Sequence, residues 1–187
     1  MINIFKYFIY EDLNNSKVYK PNLKLSNSEF FIISNENELK DILKKHRFDG
    51  YEIDTINLGL KKKAIAFCVF YENNLVHISW LAISEEAKKF IDDWPMKINW
   101  SNIGIYGLSY THPKFKKNGY FQYTYKQIQN FLLNKNIKFI RFSIKKRNTP
   151  SISALSKFQP KKIANGYSFH LLKFKFRILI PTNGNRI

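Results

Sequence analysis

One cysteine stands in 187 residues, so no intrachain disulfide can form; Cys68 sits in an apolar run, 64–71, where a buried structural thiol is expected rather than a nucleophile. The four histidines fall at no ligand spacing from one another and adjoin no carboxylate cluster, which argues against a metal centre. Acidic residues are few, 14 against 31 basic, and the net charge is +17. Such an imbalance fits three kinds of partner: nucleic acid, an anionic membrane surface, or an acidic cofactor and substrate. Arginine, which makes most bidentate phosphate and base contacts, supplies only five of the cations. The lysines are spread along the whole chain, which speaks for general lysine enrichment over a nucleic-acid surface. No run approaches the roughly 20 apolar residues of a membrane span. The first residues lack a basic segment followed by a small-residue cleavage site, so the expected location is the cytoplasm. A Gly-x-Ser-x-Gly elbow, a P-loop and a dinucleotide fingerprint are also missing.

What is present is a foldable core. A 44% hydrophobic and 17% aromatic content over 187 residues suits one compact domain spanning 1–187, with no dividing linker and no internal repeat. Residues 2–10 and 29–33 read as strands, joined by a polar connection through residues 14–17 and Pro21. Asn35 followed by Glu38 resembles a capping box, and Leu39, Ile42, Leu43 and His46 share the face of the helix behind it, which stops by Gly50. Two β-runs, 63–71 and 75–83, meet across Glu72-Asn73-Asn74 as a hairpin. His77 shares a face with Leu75, Ser79 and Leu81, either inward beside the apolar residues or outward beside the serine. Ser84 caps a short helical stretch over 85–92, and further β-runs cover 103–111, 137–144, 166–171 and 173–180.

The organising stretch is Thr111-His-Pro-Lys-Phe-Lys-Lys-Asn-Gly-Tyr-Phe121. Pro113 ends the preceding strand, and Phe121, Tyr125, Ile128 and Leu132 then recur on one helical face. The backbone N–H groups of residues 116–120 become the unpaired donors of a helix start, among three lysines, where a phosphate or pyrophosphate is held. Farther on, Asn148-Thr-Pro-Ser151 opens a second short helix, with Pro150 in its first turn.

Pro113-Lys-Phe-Lys116-Lys-Asn-Gly119-Tyr-Phe121 resembles the acetyl-CoA signature of the GCN5-related N-acetyltransferases (GNAT), roughly Pro-x-x-Arg/Gln-x-x-Gly-x-Gly/Ala. Asn148 to Phe158 resembles the Asn-x-x-Ser/Ala helix of the same family. The resemblance covers about 64–180 and leaves an embellished N-terminal region of about 1–62. Lys116 and Phe121 depart from the pattern, Gln159-Pro160 replaces a Gly-Phe pair, and Leu155 stands where many members carry a tyrosine that protonates the departing thiolate. The resemblance implies an α/β (mixed α+β) fold: a central, mixed, mostly antiparallel twisted sheet flanked by helices and splayed between the family's fourth and fifth strands. It implies acetyl-CoA, or another acyl-CoA, as co-substrate. The pantetheine arm would lie along Leu108, Ser109, Tyr110 and Thr111. The pyrophosphate would rest on Lys116, Lys117, Asn118, Gly119, Tyr120 and Phe121, and Asn148 and Ser151 would position the arm.

Acyl transfer to an amine needs a polarised thioester carbonyl, a deprotonated amine and a proton for the thiolate. The strand over 102–111 carries no carboxylate, so the candidates for proton handling are Tyr110, Ser109 and His77, with Tyr106 nearby and water as an alternative. The short single-domain form and the Gly-x-aromatic turn are similar to those of transferases near surface-polysaccharide pathways, which implies a small-molecule amine such as an amino-sugar. Two other readings stand beside this one: a CoA-binding relative without turnover, and a basic nucleic-acid-binding module using lysine with interleaved aromatics. The chain would be a monomer or a homodimer.

Overall fold

The computed structural model describes residues 2–14, 26–171 and 174–182; the expected connection through 15–17 and Pro21, the start of the last β-run at Lys173, and the tail 183–187 lie outside them. Eight strands form one sheet: β1 (Ile2–Leu13), β2 (Ser28–Ile33), β3 (Ile65–Tyr71), β4 (Asn74–Ala82), β5 (Ile103–Thr111), β6 (Phe139–Lys145), β7 (Lys161–Leu171) and β8 (Phe174–Pro181). Five helices accompany them: α1 (Glu36–Leu43), α2 (Ile53–Lys61), α3 (Glu85–Ile91), α4 (Tyr120–Asn134) and α5 (Thr149–Ser156). The strand order is β2-β3-β4-β5-β6-β1-β7-β8, antiparallel throughout except for the parallel pair β5–β6. β1 is thus an interior strand, running from Tyr7↔Lys145 to Leu13↔Phe139 against β6 and from Ile2↔Leu171 to Glu11↔Lys161 against β7.

Local chemistry explains most elements. Asn35 accepts hydrogen bonds from the N–H groups of Asn37 and Glu38, and the Glu38 carboxylate reaches back one residue beyond the cap, to the N–H and hydroxyl of Ser34. Leu39, Ile42 and His46 are buried, while Leu43 stays 43% exposed. Glu72 and Asn73 both adopt left-handed backbone, as a two-residue hairpin between β3 and β4 requires. Ser84 caps α3 by accepting from the Ala87 N–H.

Two features differ from the sequence reading. The sequence pattern does not place helix α2, because Gly59 and the β-branched residues of 53–61 lower its intrinsic propensity. Packing decides it: a Cβ at Gly59 would lie 2.6 Å from the Trp80 ring, so the glycine lets helix and sheet approach. Strand β7 begins five residues earlier than Gly166, with the polar pair Lys161-Lys162 laid against Glu11 and Tyr10 of β1.

The layers follow from these faces. One core joins α1, α2, α3 and the buried Trp94 to one side of the sheet through residues such as Leu39, Ile56, Ala87 and Trp80. The other joins α4 and α5 to the opposite side through Tyr125, Ile128, Leu132, Phe142 and Leu155.

Candidate functional site

The site begins where the parallel pair β5–β6 comes apart. β5 and β6 share three register pairs, Ile103↔Phe139 to Ile105↔Arg141, and no ladder joins them beyond. On its other edge β5 stays paired with β4, but the register jumps from Ile78↔Tyr110 to Trp80↔Gly107, so Leu108 and Ser109 together face Ser79. Leu108 takes up this bulge in left-handed backbone, φ 46°, and is 46% exposed. A leucine there stores strain of about 1–2 kcal/mol, which the surrounding ladder must hold. The result is a strand edge that turns its backbone groups into the gap from residue 106 to Thr111.

The turn Thr111 to Phe121 lies at the mouth of that gap. A single 3₁₀ turn, Pro113–Phe115, is followed by left-handed Lys117 and Gly119, with φ of 68° and 84°. Gly119 is the N-cap of α4, and no side chain caps this helix; its carbonyl accepts from the Tyr123 N–H. The first-turn N–H groups of Tyr120, Phe121 and Gln122 therefore point outwards at the positive end of the macrodipole. A Cβ placed on Gly119 would meet nothing within 4 Å, so the space above the turn is open to an anion. Lys114, Lys116 and Lys117 surround it, exposed, and Asn118 donates to the Phe115 carbonyl to hold the turn. The Tyr120 side chain itself goes inward, where its hydroxyl meets Ser28 at 3.2 Å. Tyr120 can offer a ligand its N–H alone.

Behind Ser109 lies a buried polar relay that the sequence did not disclose as a unit. His77 is wholly buried, with Nδ1 2.7 Å from the Thr111 hydroxyl and Nε2 2.8 Å from Thr124 and 2.9 Å from Ser79. The Thr124 hydroxyl reaches the carbonyls of Tyr120 and Phe121 at 3.2 Å. With its proton spent there, Thr124 accepts from His77, which fits the tautomer with hydrogen on Nε2 and a Thr111 hydroxyl donating to Nδ1. Ser79 continues to Ser109 at 2.9 Å, and Tyr106 meets Ser109 at 2.6 Å. Burial pushes His77 down to about 3, so it stays neutral, and pushes Tyr106 up to about 12, so its phenol keeps its proton. If Ser79 and Tyr106 both donate to Ser109, the Ser109 proton is free to point into the gap. Phe121 seals the relay, its ring 6.3 Å from His77 and 6.1 Å from Tyr106.

The remaining candidates divide. Tyr110, next to the bulge, has its hydroxyl 3.1 Å from where a Gly50 Cβ would be, in the segment between α1 and α2, and its ring 5.6 Å from Tyr51. Tyr51 in turn accepts from the Trp80 indole. His112, at the same corner, has a buried Nδ1 with no hydrogen-bond partner among the described residues. The signal for Gly50 and Tyr51 was the glycine itself, in left-handed backbone at φ 77°. On the opposite side, the Asn148 side chain accepts from the Ser151 N–H at 3.3 Å and so caps α5. Leu155 is fully packed into the α4–α5 core. No group of three or more metal-ligating side chains occurs among the described residues, and no described helix is long and apolar enough to cross a membrane.

No protein-family model and no curated protein matches this chain. Solved structures match it over most of its length. A putative acetyltransferase of the GNAT family from Novosphingobium aromaticivorans superposes with a TM-score of 0.52 at 8% identity, over 88% of this chain and 63% of its own. A tandem GNAT protein from the clavulanic acid biosynthesis pathway gives 0.59 at 6% identity, over 95% of this chain and 54% of its own. AAC(6')-Iy, in complex with the bisubstrate analogue CoA-S-monomethyl-acetylneamine, gives 0.51 at 14% identity, over 73% of this chain and 92% of its own. The chain spans about 52–63% of the length of the first structures it matches. Its fold is GNAT-like: a mixed eight-stranded sheet flanked by five helices.

Proposed function

We propose that this chain is an acyl-CoA-dependent N-acyltransferase, with acetyl-CoA as the donor and the amine of a small molecule as the acceptor. The observation that carries this is the conjunction of an open strand edge and an uncapped helix start: β5 leaves β6 beyond Ile105, and Gly119 opens α4 at the mouth of the gap with nothing above it. An extended thioester arm can pair with the edge from Leu108 to Thr111 while its pyrophosphate meets the N–H groups of residues 120–122 and the charges of Lys116 and Lys117. AAC(6')-Iy, which shares the fold, carries a CoA-containing analogue in its structure, and this supports the assignment.

The acyl-CoA supplies an activated carbonyl and a thiolate leaving group. The chain supplies orientation and protons. Ser109, backed by Tyr106 and Ser79, is the donor for the developing negative charge. His77, neutral and doubly engaged, acts as a positioning residue for this relay. Tyr110, at the corner made with Gly50 and Tyr51, is placed to meet the acceptor amine. An amino-sugar is the acceptor class to assay first.

Calorimetric titration with acetyl-CoA and with desulfo-CoA tests the reading. Saturable binding of both, at one site per chain, supports it; failure of both overturns it. One observation favours a second reading, a CoA-binding protein without turnover: Leu155 leaves no phenol on α5 for the thiolate. Binding without acyl transfer to any amine in a broad panel would support that alternative. A nucleic-acid module would instead show affinity that falls steeply with salt.

A further inference from the structure

Strand β6 ends before its neighbour does. β1 is in register with β6 from Tyr7↔Lys145 to Leu13↔Phe139, while its earlier residues, from Ile2 to Lys6, are in register with β7 alone. The Lys146 N–H still donates to the Lys6 carbonyl at 2.8 Å, after which the chain turns into α5. The notch left beside β1 is a cleft of about 590 Å³, within the range of small-molecule sites. Asn3 and Phe5 line it on β1, and four cations, Lys6, Lys145, Lys146 and Arg147, border it.

None of the four forms an ion pair with a carboxylate among the described residues. Farther along the sheet the cations of β8 are matched: Lys175 pairs with Asp93 and Arg177 with Asp92 and Asp93, and Asp92 also accepts from Ser143 and the Trp94 N–H. Lys145 and Arg147 are held instead by an aromatic ring. Lys145 Nζ lies 5.2 Å and the Arg147 guanidinium carbon 5.5 Å from the centroid of Phe5. One ring thus keeps two like charges together, and an anion between them turns their repulsion into attraction. The planar fork of an arginine suits a phosphate.

Lys145 also stands on a wall of the gap between β5 and β6. It lies four residues beyond Arg141, the last residue of β6 in register with β5, as Ser109 lies four beyond Ile105 on the other wall. Phe142 and Ile144 face the α4–α5 core, so Ser143 and Lys145 face the other side of the sheet, the side on which Tyr110 packs. Walls that have parted to admit one extended arm are about 10 Å apart, two strand spacings. An amine at Tyr110 and an anion at Lys145 therefore fit within one small molecule.

We infer that the notch is an anion subsite of the acceptor: the amine substrate carries a phosphate group, which Lys145 and Arg147 bind while the amine lies near Tyr110. The inference rests on the acyl-transfer reading and names the class of its acceptor, a phosphorylated amine such as an amino-sugar phosphate.

Calorimetric titration of the full chain tests it, first with desulfo-CoA, which fills the phosphate site at the α4 turn, and then with glucosamine 6-phosphate. The expected result is one further saturable site per chain, with glucosamine itself binding roughly 10–100-fold more weakly. Lys145→Gln with Arg147→Gln should weaken glucosamine 6-phosphate by a similar factor and leave desulfo-CoA affinity unchanged. Lys61→Gln with Lys62→Gln, which removes the same charge at the end of α2, should leave both ligands unchanged. Circular dichroism confirms that each variant is folded. No second site on the CoA-loaded chain overturns the inference, as does a second site that survives Lys145→Gln with Arg147→Gln or weakens equally in the α2 variant. A chain that binds no desulfo-CoA fails the acyl-transfer reading itself, and the inference falls with it. A single-stranded oligonucleotide that binds more tightly than glucosamine 6-phosphate, with an affinity lost in the Lys145 and Arg147 variant, overturns it too and gives the cleft to nucleic acid.

Discussion

Gly119 does two things at once that no other residue can: it holds φ at 84° and keeps the space above the first turn of α4 empty. Gly119→Val should therefore lose CoA binding in a calorimetric titration, while costing the fold only the about 1–2 kcal/mol of a left-handed β-branched residue. Normal CoA affinity in that variant would move the phosphate site elsewhere. Ser109 makes a sharper test of chemistry, since its hydroxyl ends the relay from Tyr106 and Ser79. Ser109→Ala should leave CoA affinity intact and lower kcat by roughly 10²-fold, the usual worth of one donor to a developing oxyanion. Equal loss in CoA affinity and in kcat would mean that Ser109 merely binds the donor substrate.

Helix α4 is held at both ends of its buried face, by the Thr124–His77 contact near its start and by Asp12 farther along. Tyr125 and Gln129 both donate to Asp12 Oδ2, at 2.7 and 3.0 Å, joining the helix to β1. Burial raises both the Asp12 carboxyl and the Tyr125 phenol, so the pair stays protonated on the phenol and relies on its hydrogen bonds. Tyr125→Phe should cost about 1–3 kcal/mol, read as a lower urea midpoint at unchanged slope. The sequence made α4 legible because Tyr125, Ile128 and Leu132 form a single periodic face, and it made the strand-to-helix turn before α4 legible because Pro113 and Gly119 punctuate it. It could not disclose α2, whose Gly59 makes sense only once the Trp80 ring lies on it. Nor could it join His77 to Thr124, 47 residues away, since a hydrogen bond between two neutral side chains leaves no periodicity behind.

Across the whole chain, acid should act through the buried histidines before it acts through the carboxylates. An unfolded histidine titrates near about 6.5 and His77 at about 3, so between those values the unfolded chain binds the extra proton. The stabilising contribution is complete above about 6.5 and is lost as pH falls towards 3, on the order of 5 kcal/mol in total. His46, lowered by burial, adds a slope of the same sign. Asp12 and Asp92, raised by burial, act oppositely: their contribution is complete below about 3.9 and lost as pH rises through their raised values. Chemical denaturation between pH 4 and 7 should show stability climbing with pH, and the climb should flatten in His77→Gln. An unchanged profile in that variant would place the acid sensitivity elsewhere. The interior position of β1 bears on synthesis. Its two neighbours, β6 and β7, begin at Phe139 and Lys161, so β1 leaves the ribosome long before either partner. At about 5–20 residues per second it waits roughly 10–30 s with both edges bare. For that interval the nascent strand depends on the polar residues Asn3, Lys6, Glu11 and Asp12, and on whatever holds a growing chain, to keep it from pairing with another polysome's product.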